Sequence, residues 1–374
     1  MFEKFRRWFN SLDTKQKRDF LILCFLLCWF IFNLSLNFWQ SRKQVEEQNK
    51  IDNLSPVAVI DKEEIKPEPT PTADMHPSSQ GGSNSNTQQN NQVIDNSNSD
   101  NEVVKTGDEM ELYFLDTGNS DASLLKLPDG TNILFDCGDY EDGQAIVDFL
   151  ESHDVWQLDD VVISHMHRDH FGSCAYIAQN IPVQKWYMPE IPEEYIPTSR
   201  SYQILLEYLI ASEADVTSPN SSDVIESSDN YKIFFLNSSN NHNWGDDQNA
   251  YSLVVMIEYG THKYIIGGDA LTANEKEILN NWSYYDFDID VYKGHHHCSK
   301  TSNSEKWLST ITPEYVVCPV GANNSYGHPH PSVLKLFDKY KITVLRSDKD
   351  GTVLVLDNGK EYVIQKGLES VRGE

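Results

Sequence analysis

The sequence predicts an α/β domain built of two packed mixed sheets with helices on their outer faces, preceded by one N-terminal transmembrane helix and a disordered linker. Three observations predict it. From Glu109 onward, short β-type runs alternate with helical stretches. Residues 20–39 are almost free of charge, and residues 40–108 are polar and poor in apolar side chains.

Taken in order, residues 1–19 form a basic cytoplasmic segment, and Phe20 to Trp39 (FLILCFLLCWFIFNLSLNFW) is long enough at about 1.5 Å per residue to cross a roughly 30 Å hydrocarbon layer. Lys4, Arg6, Arg7, Lys15, Lys17 and Arg18 precede this stretch, and Arg42 and Lys43 follow it. That asymmetry reads as a single-pass signal-anchor helix in the cell membrane, with the N-terminus cytoplasmic and the rest of the chain extracellular. A cleaved signal peptide is the alternative, disfavoured because a small-x-small cleavage site is absent. Residues 40–108, with PEPTPTADMHP and SSQGGSNSNTQQNNQ, bury too little apolar surface to offset chain entropy and read as a flexible spacer.

The domain itself spans 109–374. The runs ELYFLD, ASLLKLP and NILFDCG predict strands, with a turn at Asp129-Gly130; Ala145 to Ser152 predicts a helix and DVVIS a buried strand. KWYMP, KIFFL, YSLVVMIEYG, KYIIGGD, DIDVYKG, EYVVCPVG, ITVLR and TVLVLDNGKEYVI continue the strands. Helices are predicted among them around Tyr202 to Ser212, Ala273 to Asn281 and Ser332 to Tyr340.

Composition bounds the function. Of 374 residues, 57 are Asp or Glu and 30 are Lys or Arg, a formal charge of -27 borne mostly by the segment after residue 108. Such a body repels phosphate backbones at long range, which excludes an extended basic nucleic-acid-binding face and leaves room for a local polyanion site with its own cations. Of six cysteines, Cys24 and Cys28 lie in the apolar stretch, and Cys137, Cys174, Cys298 and Cys318 follow no recognisable spacing. They read as small buried thiols, without a disulfide scaffold.

The chemistry is concentrated in histidines and aspartates. His165, His167, Asp169 and His170 stand as H-x-H-x-D-H directly after DVVIS. A loop leaving the C-terminal end of a strand can turn all four into one cavity, and imidazole and carboxylate are ligands that borderline divalent metals such as zinc accept. IIGGD ends another strand in Asp269, a carboxylate able to bridge two ions about 3.5 to 4 Å apart. His295, His296 and His297 follow a third strand, and GHPHP holds His328 and His330.

DTGNSD at 116–121, LFDCG at 134–138, SHMHRDHFGS at 164–173, GGDA at 267–270, KGHHHCSKTS at 293–302 and NNSYGHPHP at 323–331 together resemble the metallo-β-lactamase fold superfamily. The resemblance is to the branch related to the extracellular nuclease-like domain of the competence protein ComEC, and it covers nearly all of 109–374. It implies a metallo-β-lactamase αββα sandwich. It further implies two divalent metal ions, Zn or alternatively Mn, with His165 and His167 on one, Asp169, His170 and His297 on the other, and Asp269 between them. His242, in NNHNWGDDQN, holds the chain position of a third imidazole for the first metal, and Asp136 would orient the ligand loop.

By the same resemblance Asp169, His296, His328 and Lys300 are the catalytic candidates. His296 would face substrate or act as an acid, and His328 and His330 would line the pocket or protonate a leaving group. Arg168, Lys293 and Lys300 would hold phosphate oxygens. Cysteine replaces the family's glycine at Cys137 and Cys298, and serine replaces it at Ser120 and Ser173, so tight turns there carry a Cβ. The implied activity is a membrane-anchored extracytoplasmic hydrolase of phosphodiesters, either DNA or cell-wall phosphocholine. The alternatives are a phosphorylcholine esterase-like cell-wall hydrolase and a non-catalytic metal-containing surface binding protein.

Overall fold

Two alternating faces per strand set the architecture. Leu112 and Phe114 point one way and Tyr113 and Leu115 the other, all buried. Ile233 and Phe235 alternate with Phe234 and Leu236 in the same manner. Strands apolar on both faces must be covered on both sides. A computed structural model describes residues 92–95, 107–322, 324–368 and 370–371. One sheet orders β1 (Gln92–Asp95), β16 (Tyr362–Leu368), β15 (Thr352–Asp357), β2 (Met110–Phe114), β3 (Ser123–Lys126), β4 (Asn132–Phe135), β5 (Leu158–Val162), β6 (Val183–Tyr187) and β7 (Asp215–Thr217). The other orders β14 (Thr343–Arg346), β13 (Tyr315–Cys318), β12 (Val291–Lys293), β11 (His262–Ile266), β10 (Val255–Tyr259), β9 (Tyr231–Phe235) and β8 (Val224–Ser227).

Both sheets are mixed. β15 to β4 pair antiparallel and β4 to β7 parallel; β8 to β11 pair antiparallel and β11 to β14 parallel. One apolar core fills the space between the sheets, with Leu112, Phe135, Phe235, Ile257 and Val317 among its members. A second lies under α1 (Gly143–Ser152), α2 (Arg168–Phe171), α3 (Cys174–Asn180) and α4 (Arg200–Ala211), and a third under α5 (Thr272–Asn281), α6 (Glu305–Ile311) and α7 (Pro331–Tyr340). Two helices start on serine caps: the hydroxyls of Ser199 and Ser304 accept from the Tyr202 and Trp307 amides. The expected two-sheet sandwich with outer helices is what the chain forms.

Several local expectations change. α3 and α6 were not anticipated, because seven residues are too few to show a helical repeat. YSLVVMIEYG is not one strand: Gln248–Tyr251 is a short 3-10 turn and β10 begins at Val255. Within the stretch read as a spacer, Gln92–Asp95 pairs in parallel with β16. The proposed span at 20–39 and most of the spacer lie outside the described residues, among which no helix is long and apolar enough to cross a membrane. The reading of four free thiols is corrected outright, because Cys137–Cys174 and Cys298–Cys318 are disulfides with Cα separations of 5.1 and 5.7 Å.

The parallel strands β4, β5, β11 and β12 all release their C-terminal loops toward one crevice. That is the end of an open α/β sheet where ligands are ordinarily held.

Candidate metal centre

β5 ends at Val162, and the chain turns through Ser164 into His165, His167, Asp169 and His170, with α2 beginning at Arg168. From the second sheet, β11 runs into Gly267, Gly268 and Asp269. Gly268 has φ +45°, and a Cβ there would stand 2.1 Å from the Ser164 hydroxyl oxygen. Only glycine lets the two loops approach this closely, which brings Asp269 between the histidines. β12 delivers His296 and His297, which with Cys298 take left-handed φ of 51°, 51° and 61°. Three such residues in a row are a locally strained turn, of the kind that persists where surrounding structure over-determines it. The glycine-to-cysteine departure therefore has a real backbone cost at Cys298. Ser173, with φ −99°, carries none.

Asp269 faces both groups of donors. Its Oδ1 lies 3.3 Å from His170 Nε2 and 3.6 Å from His297 Nε2, and its Oδ2 lies 3.9 Å from His165 Nε2 and 3.5 Å from His296 Nε2. Asp169 Oδ2 lies 3.5 Å from His297 Nε2 and 3.8 Å from His170 Nε2, and His165 Nε2 is 3.0 Å from His167 Nδ1. Two sets of donor atoms that share no residue result, His165–His167–Asp269 and Asp169–His170–His297, and a third, Asp121–His170–Asp269, overlaps both; the atoms within each set lie within 4.8 Å of one another. Asp269 Oδ1, His170 Nε2 and His297 Nε2 are buried without a hydrogen-bond partner among the described residues. Converging orphaned donors of this kind are costly unless something else satisfies them. A divalent cation does so, and the imidazole and carboxylate set fits one.

The remaining atoms of these rings are held from behind. His170 Nδ1 donates to Asp136 Oδ2 at 2.8 Å, while Ser164 donates to the same carboxylate from its amide and its hydroxyl, both at 2.7 Å. His297 Nδ1 donates to the Pro319 carbonyl at 2.8 Å. Such contacts fix ring orientation and leave Nε2 free to bind. Asp136 thus stands where it can orient the His170 ring. Each disulfide braces one of these ligand and orienter pairs: Cys137 adjoins Asp136 and Cys174 follows the His170 helix, while Cys298 adjoins His297 and Cys318 adjoins Pro319.

Burial opposes the charge on Asp269, but His170 and His297 outweigh it and hold the carboxyl well below the usual carboxylate range. Asp169 is lowered against the same burial, chiefly by His170 and then His297. Burial first, and then His170, pushes His165 well below the ordinary histidine value. A neutral His165 beside ionised carboxylates is ready to ligate, whereas His170 and His297 are raised against burial, foremost by Asp269, and must release a proton for an ion to bind.

Other expected residues fall differently. His242 is in neither donor set; its Nε2 lies 3.2 Å from Glu277 Oε1 and its ring stacks on Trp244. Lys293 is buried beneath the site, ion-paired with Asp121 and donating to the Gly268 carbonyl at 3.0 Å, so it supports the Asp269 loop and does not meet substrate. Lys300 is exposed and is not part of the cavity wall. His330 caps α7, accepting from the Ser332 amide. His295 is turned away, stacked on Trp307 with Nδ1 3.3 Å from Glu275.

His296, His328 and Arg168 do line the cavity, which has a volume of about 660 Å³ and opens over Asp169, Asp269 and His297. Arg168 donates to Asp139 at 2.8 Å. Burial, followed by His297 and His296, pushes His328 down to about 4, so its ring is a neutral wall group near pH 7 and not a charged acid. Residues missed from sequence include Asp121, which closes the DTGNSD motif, and Asp139, which follows LFDCG. Their motif positions were the available signal.

The metallo-beta-lactamase superfamily profile matches residues 115–321, more than half of the chain, and the chain belongs to that superfamily. It is 28% identical over 216 residues to ComE operon protein 3 of Bacillus subtilis (strain 168), covering 56% of this chain and 26% of that protein. It is 27% identical over 232 residues to Competence protein ComA of Neisseria gonorrhoeae, covering 62% of this chain and 30% of that one. The resemblance to ComEC-like competence proteins therefore holds, although the chain spans less than a third of the length of these relatives. Among solved structures, a metal-dependent hydrolase of the beta-lactamase superfamily is similar at a TM-score of 0.42 and 15% identity, over 63% of this chain and 95% of that one.

Proposed function

We propose that this superfamily hydrolase is a phosphodiesterase, a nuclease of the ComEC-like kind, anchored by residues 20–39 with its catalytic domain outside the cell. The observation that carries the reading is Asp269, with one oxygen turned to each donor set at the floor of an open cavity. Zinc or manganese suits those donors, and a pair of such ions, when bound, supplies Lewis acidity toward a phosphoryl group and an attacking water. The chain's own part is placement. Asp136 and the Pro319 carbonyl aim His170 and His297, the Lys293–Gly268 contact seats Asp269, and His296 and His328 wall the cavity above them.

Two disulfides support the outward location, because such bonds persist in oxidising compartments. The cell-wall phosphocholine reading draws support from the carboxylates of Asp139 and Glu141 in the cavity wall. The purified full chain with added zinc or manganese is expected to hydrolyse bis(p-nitrophenyl) phosphate. Asp169→Ala should reduce kcat/KM by about a hundredfold or more, the loss of one ligand from a catalytic ion. Wild-type chain without turnover, or an unimpaired Asp169→Ala variant, defeats the proposal.

A further inference from the structure

Opposite the donors, the cavity wall is formed by the turn from Asn324 to His328, whose part in function is not explained by metal binding. Tyr326 is 73% exposed on this turn. Its ring stacks on His328 at 5.9 Å and 23°, and His328 in turn meets His296 edge-on at 5.6 Å. The turn is pinned by one side chain: Asn324 Oδ1 accepts from the His328 amide at 2.9 Å and Asn324 Nδ2 donates to the His328 carbonyl at 2.7 Å. An open aromatic face is thus held rigidly above His296, which is itself 3.5 Å from Asp269.

Charge limits what can lie there. Among the described residues of the wall, Arg168 is the one Lys or Arg side chain, and Asp139 already holds it. The wall offers no clamp for a second phosphate beyond the one at the metal donors. It offers instead an aromatic platform, the ring of Tyr326. Resting on the phosphodiesterase reading, we propose that Tyr326 is the specificity-determining residue of a base-stacking subsite, taking the nucleobase next to the scissile phosphate. Stacking suits any base and needs no cation. A quaternary ammonium would want several rings around it, and Tyr326 is the one Phe, Tyr or Trp side chain among the described wall residues.

Three p-nitrophenyl phosphodiesters separate the possibilities on the full metal-loaded chain: the thymidine 5′-ester, the methyl ester and the choline ester. Wild type is expected to favour thymidine over methyl in kcat/KM by about five- to a hundredfold, mostly through KM, in line with the worth of one base stack. Tyr326→Ala should bring that ratio toward one, and Tyr326→Phe should preserve it. Independently of turnover, saturation-transfer NMR on metal-free wild type should show contact with the thymine protons that Tyr326→Ala loses. A ratio near one in wild type, or one that survives Tyr326→Ala, overturns the subsite while leaving the phosphodiesterase intact. A Tyr326-dependent preference for the choline ester also overturns it, and no turnover of any ester overturns both readings.

Discussion

Asp269→Ala is expected to lower phosphodiester turnover by on the order of a thousandfold, about 4 kcal/mol of transition-state stabilisation, and to reduce bound metal. The reason is geometric. No other carboxylate places one oxygen 3.3 Å from His170 and the second 3.5 Å from His296, among the described residues. Removing it takes a donor from the His165–His167 set and also the carboxylate oxygen that stands 3.3 and 3.6 Å from His170 and His297, whereas Asp169→Ala touches only the set containing His170 and His297. Lys300→Ala, an exposed residue off the cavity wall, should stay within about twofold of wild type, as surface substitutions usually do. Steady-state kinetics with metal analysis of the three variants decides. An Asp269→Ala chain with full metal content would remove the bridging role.

Loss of the Cys298–Cys318 disulfide is expected to weaken metal binding by roughly ten- to a hundredfold, the usual scale for disturbing an orienting contact, and to destabilise the fold by about 3 kcal/mol. Cys298 has a left-handed φ of 61°, beside His297, and Cys318 stands next to the carbonyl that aims His297. The bond therefore holds a strained turn against its own orienter. Cys298→Ser with Cys318→Ser, examined by chelator competition and thermal unfolding, should show both losses. Replacing residue 298 by glycine should recover part of the stability, since glycine tolerates that φ. Unchanged metal affinity in the serine pair would reduce the disulfide to a general brace.

How much of this was readable in advance depends on the kind of interaction. H-x-H-x-D-H and the Asp closing IIGGD stand at strand ends, and strand ends are visible as breaks in a period-two pattern, so the donors were legible. Disulfide pairing was not, because it depends on which Cα atoms the two sheets bring within reach, and separations of 37 and 20 residues say nothing of that. Lys293 looked like a free cation because its motif position was right; burial against Asp121 is a tertiary fact. His242 had the right chain position, but its loop turned it toward Glu277. Asp139 and Tyr326 stand beside or within quoted motifs, but that their side chains wall the cavity is set by its shape.

Imidazoles and carboxylates delivered by both sheets are expected to hold two cations side by side. Metal content of the purified full chain, measured by inductively coupled plasma mass spectrometry after zinc or manganese loading and desalting, tests it directly. About two ions per chain are expected, falling sharply in Asp269→Ala. A chain that retains none, or whose content is indifferent to Asp269, would contradict it.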